Sequence, residues 1–158
     1  MKKSHINIEV DTYDNINELP KDEITLVNEA KKVAFKAYAK YSNFFVGAAV
    51  LLKNGKIITG NNQENNAFPS GLCAERVALF YANSQYPDVP VLKMAVVAIY
   101  QNDVLDEPVA PCGACRQVML ETEMRFLTPI RIILVGKNKI LAMNDVKSLL
   151  PLSFNFEF

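Results

Sequence analysis

The chain is predicted to fold as a three-layer α/β/α sandwich around a five-stranded mixed sheet. Three observations predict it. Five short apolar runs have the length of strands and show no helical period. Helical segments fall between them, in the order α-β-β-α-β-α-β-β-α. Turn residues, not long linkers, join the runs that stand next to each other.

Each element has its own warrant. Pro20-Lys21-Asp22-Glu23 opens the first helix, because proline and acidic residues suit a first turn. Leu26, Val27, Ala30, Val33, Ala34, Ala37 and Tyr38 then follow the helical period, with Lys31, Lys32, Lys36 and Lys40 mainly between them. That is an amphipathic helix of about five turns. Phe45 to Leu52 is apolar on both parities, the mark of a strand covered on both faces. Asn54-Gly55 predicts a two-residue type I′ hairpin, which needs positive φ twice, with a return strand from Ile57 to about Asn61.

Residues 72 to about 84, rich in Ala and Leu, form a second helix, and Met94 to Tyr100 a third buried strand. A loop containing Pro108 and Pro111 leads into a helix over about 112 to 124. Ile130 to Val135 and Ile140 to Met143 are two more strands, split by Gly136-Lys137-Asn138. A short helix, Asp145 to Leu150, closes before Pro151.

No internal repeat or linker interrupts residues 21–158, which read as a single domain. Residues 1–20 form an N-terminal extension. Ile6, Ile8 and Val10 alternate with polar residues there. A mobile tail is the plainer account. An extra edge strand, or an arm packed on a neighbour, is the sharper one.

Composition narrows the partners. The 158 residues are 50% hydrophobic and 22% charged, with a formal net charge of zero and a pI near 6.6. No run of Lys and Arg supplies a basic patch, so neither nucleic acid nor an acidic membrane is expected as partner. The longest apolar run, Phe44 to Leu52, falls short of the roughly 20 residues a membrane span needs. Met1-Lys2-Lys3 is followed by polar residues instead of an apolar signal core, so the chain reads as cytoplasmic.

The three cysteines are odd in number and widely spaced, which argues against a disulfide framework. Cys112-Gly113-Ala114-Cys115 lies at a loop-to-helix junction. By itself it fits a redox pair, half of a zinc site or two buried thiols. A helix start lowers thiol pKa and favours the first two equally. Cys73, at a second predicted helix start, decides between them. Three thiolates from two helix starts form a tripod for Zn²⁺ with an open fourth position, as in catalytic zinc. The competing account is three unrelated core thiols.

Glu75 lies two residues beyond Cys73, about 200° round a regular helix. Both can serve one metal only if the metal sits off the helix's N-terminal end. Glu75 would then meet a zinc-bound water without being a ligand. Taken alone, Glu75 is better read as a helix-dipole partner. Arg76, three residues after Cys73, lies on the same face and can offset the net negative charge of three thiolates and Zn²⁺. Otherwise it is an ordinary surface arginine.

At these residues the chain resembles a known family. Cys73-Ala74-Glu75-Arg76, with Pro111-Cys112-Gly113-Ala114-Cys115-Arg116-Gln117, resembles the small, three-cysteine, homotetrameric cytidine deaminases. Tyr41-Ser42-Asn43-Phe44-Phe45-Val46-Gly47-Ala48-Ala49 resembles that family's first strand and lead-in. Gly60-Asn61-Asn62-Gln63-Glu64-Asn65 resembles its ribose segment, and Leu149 to Phe154 its C-terminal close. The likeness spans about residues 22 to 154.

The resemblance implies hydrolytic deamination of cytidine and deoxycytidine to uridine and deoxyuridine, with release of ammonia, by a zinc-activated water in pyrimidine salvage. Cys73, Cys112 and Cys115 would hold zinc and Glu75 would move the proton. Asn62 and Glu64 would bind the ribose hydroxyls, and Phe44 would pack on the nucleoside. The backbone at Ala74 would meet the pyrimidine carbonyl. Phe154, with Phe68, would reach the active site of a neighbouring subunit of a homotetramer. Without the resemblance, the three phenylalanines are core or interface aromatics, and Asn62 and Glu64 are turn residues.

The chain departs from the pattern in four places. Phe68 stands where the family often has Tyr, and Asn61 where it often has Cys. The segment from Cys73 to Cys112 is longer, with the excess expected after Tyr100. The extension has no counterpart. A deaminase for modified cytosine nucleosides is the nearest rival. A non-catalytic zinc module would need neither Glu75 nor the ribose pair. A thiol redox role leaves Cys73 unexplained.

Overall fold

The computed structural model describes residues 1–154. Its elements are β1 (Asp11–Tyr13), α1 (Lys21–Ala34), β2 (Phe44–Leu52), β3 (Ile57–Asn61), α2 (Ala74–Gln85), β4 (Val91–Tyr100), β5 (Asp103–Val104), α3 (Gly113–Phe126), β6 (Arg131–Val135) and β7 (Ile140–Met143). Among the described residues the sheet runs β1-β7-β6-β4-β2-β3, with β5 paired to β4. Strands β4 and β6 are parallel and the other pairs antiparallel, so the sheet is mixed.

Pleating separates two cores. On β4, Met94 and Val96 face one way and Ala95, Val97 and Ile99 the other. The first set packs with Ala74, Ala78, Leu79 and Ala82 of α2 and Met119 and Leu120 of α3. The second packs with Leu26, Val27, Ala30 and Ala34 of α1. Helices thus cover both faces, as the doubly apolar strands require.

The sheet has seven strands instead of the five expected; one extra strand has a local cause and the other a distant partner. After Tyr100 the chain turns through Gln101 (φ 52) and Asn102 (φ 66) and returns as β5. Two successive positive φ values suit the twist of a hairpin, but Gln is not a residue that announces them. Strand β1 pairs with β7, Thr12 opposite Leu141. It lies beyond the Ile6–Val10 alternation; residues 1 to 10 are exposed and outside any element.

Three further expectations are corrected. The hairpin after β2 exists, but only Gly55 (φ 81) has positive φ. The Gly55 amide donates to Leu52 O (2.9 Å), and the Leu52 amide to Lys56 O (2.9 Å). This is a type I turn with a glycine bulge, not type I′. Helix α1 ends at Ala34 instead of continuing past Tyr38. The Tyr38 amide donates to Asn62 O and Tyr38 O accepts from the Glu64 amide, so a tertiary bridge captures the would-be last turn. The closing helix is a single 3-10 turn, Lys147–Leu149.

One glycine fixes the position of α2. A Cβ on Gly60 would lie 2.4 Å from the Ala78 amide nitrogen and 2.6 Å from Ala74 O, both backbone atoms of α2. Gly60→Ala is therefore expected to cost about 1–3 kcal/mol through overpacking. A urea midpoint lowered at constant slope would show it.

Candidate active site

Helices α2 and α3 lie on the same face of the sheet and start near one another. Cys73 is the residue before α2 and Cys112 the residue before α3, both with extended backbone. Cys115 lies one turn into α3 and is fully buried. The three sulfurs lie within 4.8 Å of one another. Sγ of Cys73 is 3.8 Å from Sγ of Cys112, which is 3.5 Å from Sγ of Cys115.

Those spacings test the fit for zinc. With Zn–S near 2.3 Å, sulfurs on a tetrahedron stand about 3.8 Å apart. The donor chemistry agrees. Hydrogen bonding from Cys115, together with the Arg76 guanidinium, draws the Cys73 thiol down to about 5, while the same pairing and burial push Cys115 up. Sulfurs this close cannot all ionise without a cation between them. The set fits Zn²⁺, and the cluster holds three ligands, leaving a fourth position for water.

Arg76 takes the charge-offsetting place. Its Nη2 donates to Cys73 Sγ at 3.8 Å, and its Nε is buried without a hydrogen-bond partner among the described residues. Glu75 stands in the first turn of α2, only 4% exposed, and burial raises its carboxyl above the usual range. Because Cys73 precedes the helix, Glu75 and the sulfurs face the same region off the helix end. The 200° separation on a regular helix is thereby avoided.

A cleft opens in front of these groups and has two lobes. The first, about 390 Å³, is lined by Phe44, Val46, Ala74, Glu75, Cys73 and Cys112, closed by Val96, Ala98, Val109 and Ala110. The second, about 500 Å³, is lined by Tyr41, Phe68, Leu72 and Arg76. Ser42, Asn62, Glu64 and Cys73 border both. One lobe is thus mainly apolar with a buried acid in its lining, and polar side chains stand at the junction.

Those polar residues are tied to the chain leading into β2. Asn62 Oδ1 accepts from the Val46 amide (2.7 Å) and its Nδ2 donates to Phe44 O (2.9 Å). Glu64 accepts from the Tyr41 amide (2.7 Å), the Ser42 amide (3.3 Å) and the Ser42 hydroxyl. The hydroxyl bond holds the Glu64 carboxyl below its ordinary value.

The structure gathers most of the expected site residues. Cys73, Cys112, Ala74, Glu75, Phe44, Asn62 and Glu64 share the first lobe; Arg76 and Phe68 join through the second. Phe68 is 73% exposed and meets Tyr41 edge-on at 5.9 Å. Phe154 lies outside both lobes, 81% exposed.

Sequence reasoning assigned no role to Ser42 or Arg116. Arg116 Nε donates to Pro111 O (2.7 Å) and its Nη1 to Leu149 O (2.8 Å), fastening the Cys112 loop to the 147–149 turn. A serine just before a chain reversal was the available signal for Ser42. Nothing in the sequence marked Arg116 apart from its place beside Cys115.

The chain is similar to known proteins both in sequence and in fold. Residues 20–128 match the family described as the cytidine and deoxycytidylate deaminase zinc-binding region. A cytidine deaminase of Halalkalibacterium halodurans is 47% identical over 100 residues, 63% of this chain and 71% of that protein. One of Mycobacterium tuberculosis is 38% identical over 109 residues, 67% of this chain and 77% of that protein. The crystal structure of a cytidine deaminase from Burkholderia pseudomallei superimposes with a TM-score of 0.71 at 38% identity, covering 82% of this chain and 97% of that one.

Proposed function

The chain belongs to the cytidine and deoxycytidylate deaminase family, and from that premise we propose how its own residues deaminate a free cytosine nucleoside. The reaction is the hydrolysis of cytidine to uridine and ammonia, and the cofactor is zinc. The observation that carries the residue assignments is a cluster of three sulfurs within 4.8 Å of one another, two of which, from Cys73 and Cys112, line the same lobe as a buried glutamate and the Asn62–Glu64 pair.

Cys73, Cys112 and Cys115 hold the zinc. Bound there, zinc would supply a water whose pKa is lowered towards 7. Glu75 accepts a proton from the water that adds to C4 of the cytosine ring. It then delivers protons to N3 and to the departing amine. Burial suits Glu75 to both acts, since desolvation raises its carboxyl above the usual range and makes it a stronger proton acceptor than an exposed glutamate. Phe44, Val46 and Ala98 enclose the ring, and the backbone at Ala74 meets its carbonyl. Asn62 and Glu64 bind the ribose hydroxyls. Arg76 restrains the basicity of the Cys73 thiolate.

A nucleoside suits the cleft better than a strand of nucleic acid. The Glu64 carboxylate would repel a 3′-phosphate, and the net charge of zero offers no tracking groove. Deoxycytidine fits the same pocket, and pyrimidine salvage is the setting such a reaction serves. Exposed Phe68 and Phe154 favour a homotetramer whose neighbours complete each cleft. No helix among the described residues is long and apolar enough to cross a membrane, in keeping with a cytoplasmic place of work.

The test is direct. Uridine and ammonia release should be followed from cytidine and deoxycytidine, with and without a zinc chelator. Chelator-sensitive release from both is expected. Single-stranded DNA should be left unreacted at concentrations where cytidine is consumed; deamination of the strand would overturn the free-nucleoside assignment.

A further inference from the structure

Ser42 joins the Glu64 carboxylate to the backbone of Phe44 at the border of the cleft. Its hydroxyl donates to Glu64 and accepts from the Phe44 amide at 3.0 Å. Its own amide donates to the other Glu64 oxygen at 3.3 Å, beside the Tyr41 amide at 2.7 Å. The chain is bent to allow this. Asn43 has φ 54, a conformation uncommon outside glycine, and its amide donates to Ala39 O at 2.9 Å. The bend turns three donors of residues 41 and 42 onto one carboxylate and leaves Phe44 at the wall of the ring lobe.

Glu64 follows β3 in an irregular stretch and borders both lobes of the cleft. A glutamate side chain there has three free torsions, and every rotamer it samples away from the junction weakens its hold on a ligand hydroxyl. We propose that Ser42 is a positioning residue for ribose recognition: its hydroxyl fixes the Glu64 carboxylate towards the 3′-hydroxyl and ties it to the backbone of Phe44. The proposal rests on the reading of Glu64 as a ribose ligand.

The experiment compares cytidine with 3′-deoxycytidine in the full-length zinc enzyme and in Ser42→Ala, Ser42→Thr, Glu64→Ala and the Ser42→Ala/Glu64→Ala pair. Zinc content is measured for each. Ser42→Ala should shrink the preference for cytidine about tenfold, near the lower end for a hydrogen bond to a charged group, and the loss should appear mainly in KM. Ser42→Thr, which keeps the hydroxyl, should restore the preference. The double variant should lose no more than Glu64→Ala, since the two act through one contact. An equal loss on both substrates, carried by kcat, would mean a merely structural serine and overturn the proposal. A full preference in Ser42→Ala beside a lost one in Glu64→Ala would overturn the positioning role alone. A full preference in Glu64→Ala would overturn the ribose reading, and this proposal with it.

Discussion

Glu75→Gln is expected to keep the zinc and the fold and to lose about 10⁴-fold in kcat/KM for cytidine. General acid–base catalysis contributes about 10²–10⁴-fold. The upper end applies because one carboxyl both accepts the proton from water and delivers it to the ring and the amine. The loss corresponds to about 5.5 kcal/mol of transition-state stabilisation. Glutamine has the same shape but no proton to exchange, so the small first lobe stays filled as before. It also removes a desolvated acid, 4% exposed, and stability should hold or rise. The decay of cytidine absorbance, zinc per chain and the melting temperature check the three parts. Turnover near the wild-type rate would refute the assignment of Glu75.

Cys115→Ser should act differently, removing metal and activity together. Its sulfur is fully buried between α2 and α3, 3.5 Å from the Cys112 sulfur. A hydroxyl there is a poor zinc ligand, and the two remaining thiolates leave the site under-coordinated. Activity should drop at least about 10³-fold, because several kcal/mol of barrier lowering depart with the metal. Zinc also stabilises the folded chain by mass action, about 2.7 kcal/mol at a hundredfold excess over its Kd. A chelator should therefore lower the melting temperature of the wild type and leave that of Cys115→Ser where it is. Full zinc occupancy in the variant would show that Cys115 is not a ligand.

How much of this was legible depends on where each signal resides. Strands such as Phe45–Leu52 and Met94–Tyr100 are apolar on both parities, and that property alone placed them within a few residues. The cysteines were legible because metal chemistry constrains residue type and helix-start position together. Glu75 was ambiguous in isolation, since acids are common in a first turn. In the fold it is buried in the first turn of α2 and lines the same lobe as Cys73 and Cys112, which supports the proton-moving role proposed for it. The features missed are set by partners far away in sequence. Tyr38 leaves α1 to bridge Gln63, and Ser42 meets Glu64 across 22 positions. Arg116 reaches Leu149 across 33. No local period records such contacts. Strand β5 was hidden for a local reason, because Gln101 adopts a backbone conformation its side chain does not advertise.

Strand β1 matters to how copies of this protein coexist. Without it, β7 would present unpaired amides and carbonyls to any extended segment nearby, the kind of border on which chains aggregate. Thr12 and its neighbours fill that border from within the same molecule. Their hold comes from Arg131, which donates to Asp11 (2.9 Å) and the Tyr13 hydroxyl (2.9 Å) while its Nε donates to buried Glu23 (3.0 Å). What faces outward is three residues long and begins with a carboxylate, a poor template for growth. Nicks among the first ten residues should be harmless, whereas loss of residues 11 to 13 should leave a catalyst that works when dilute and precipitates when concentrated.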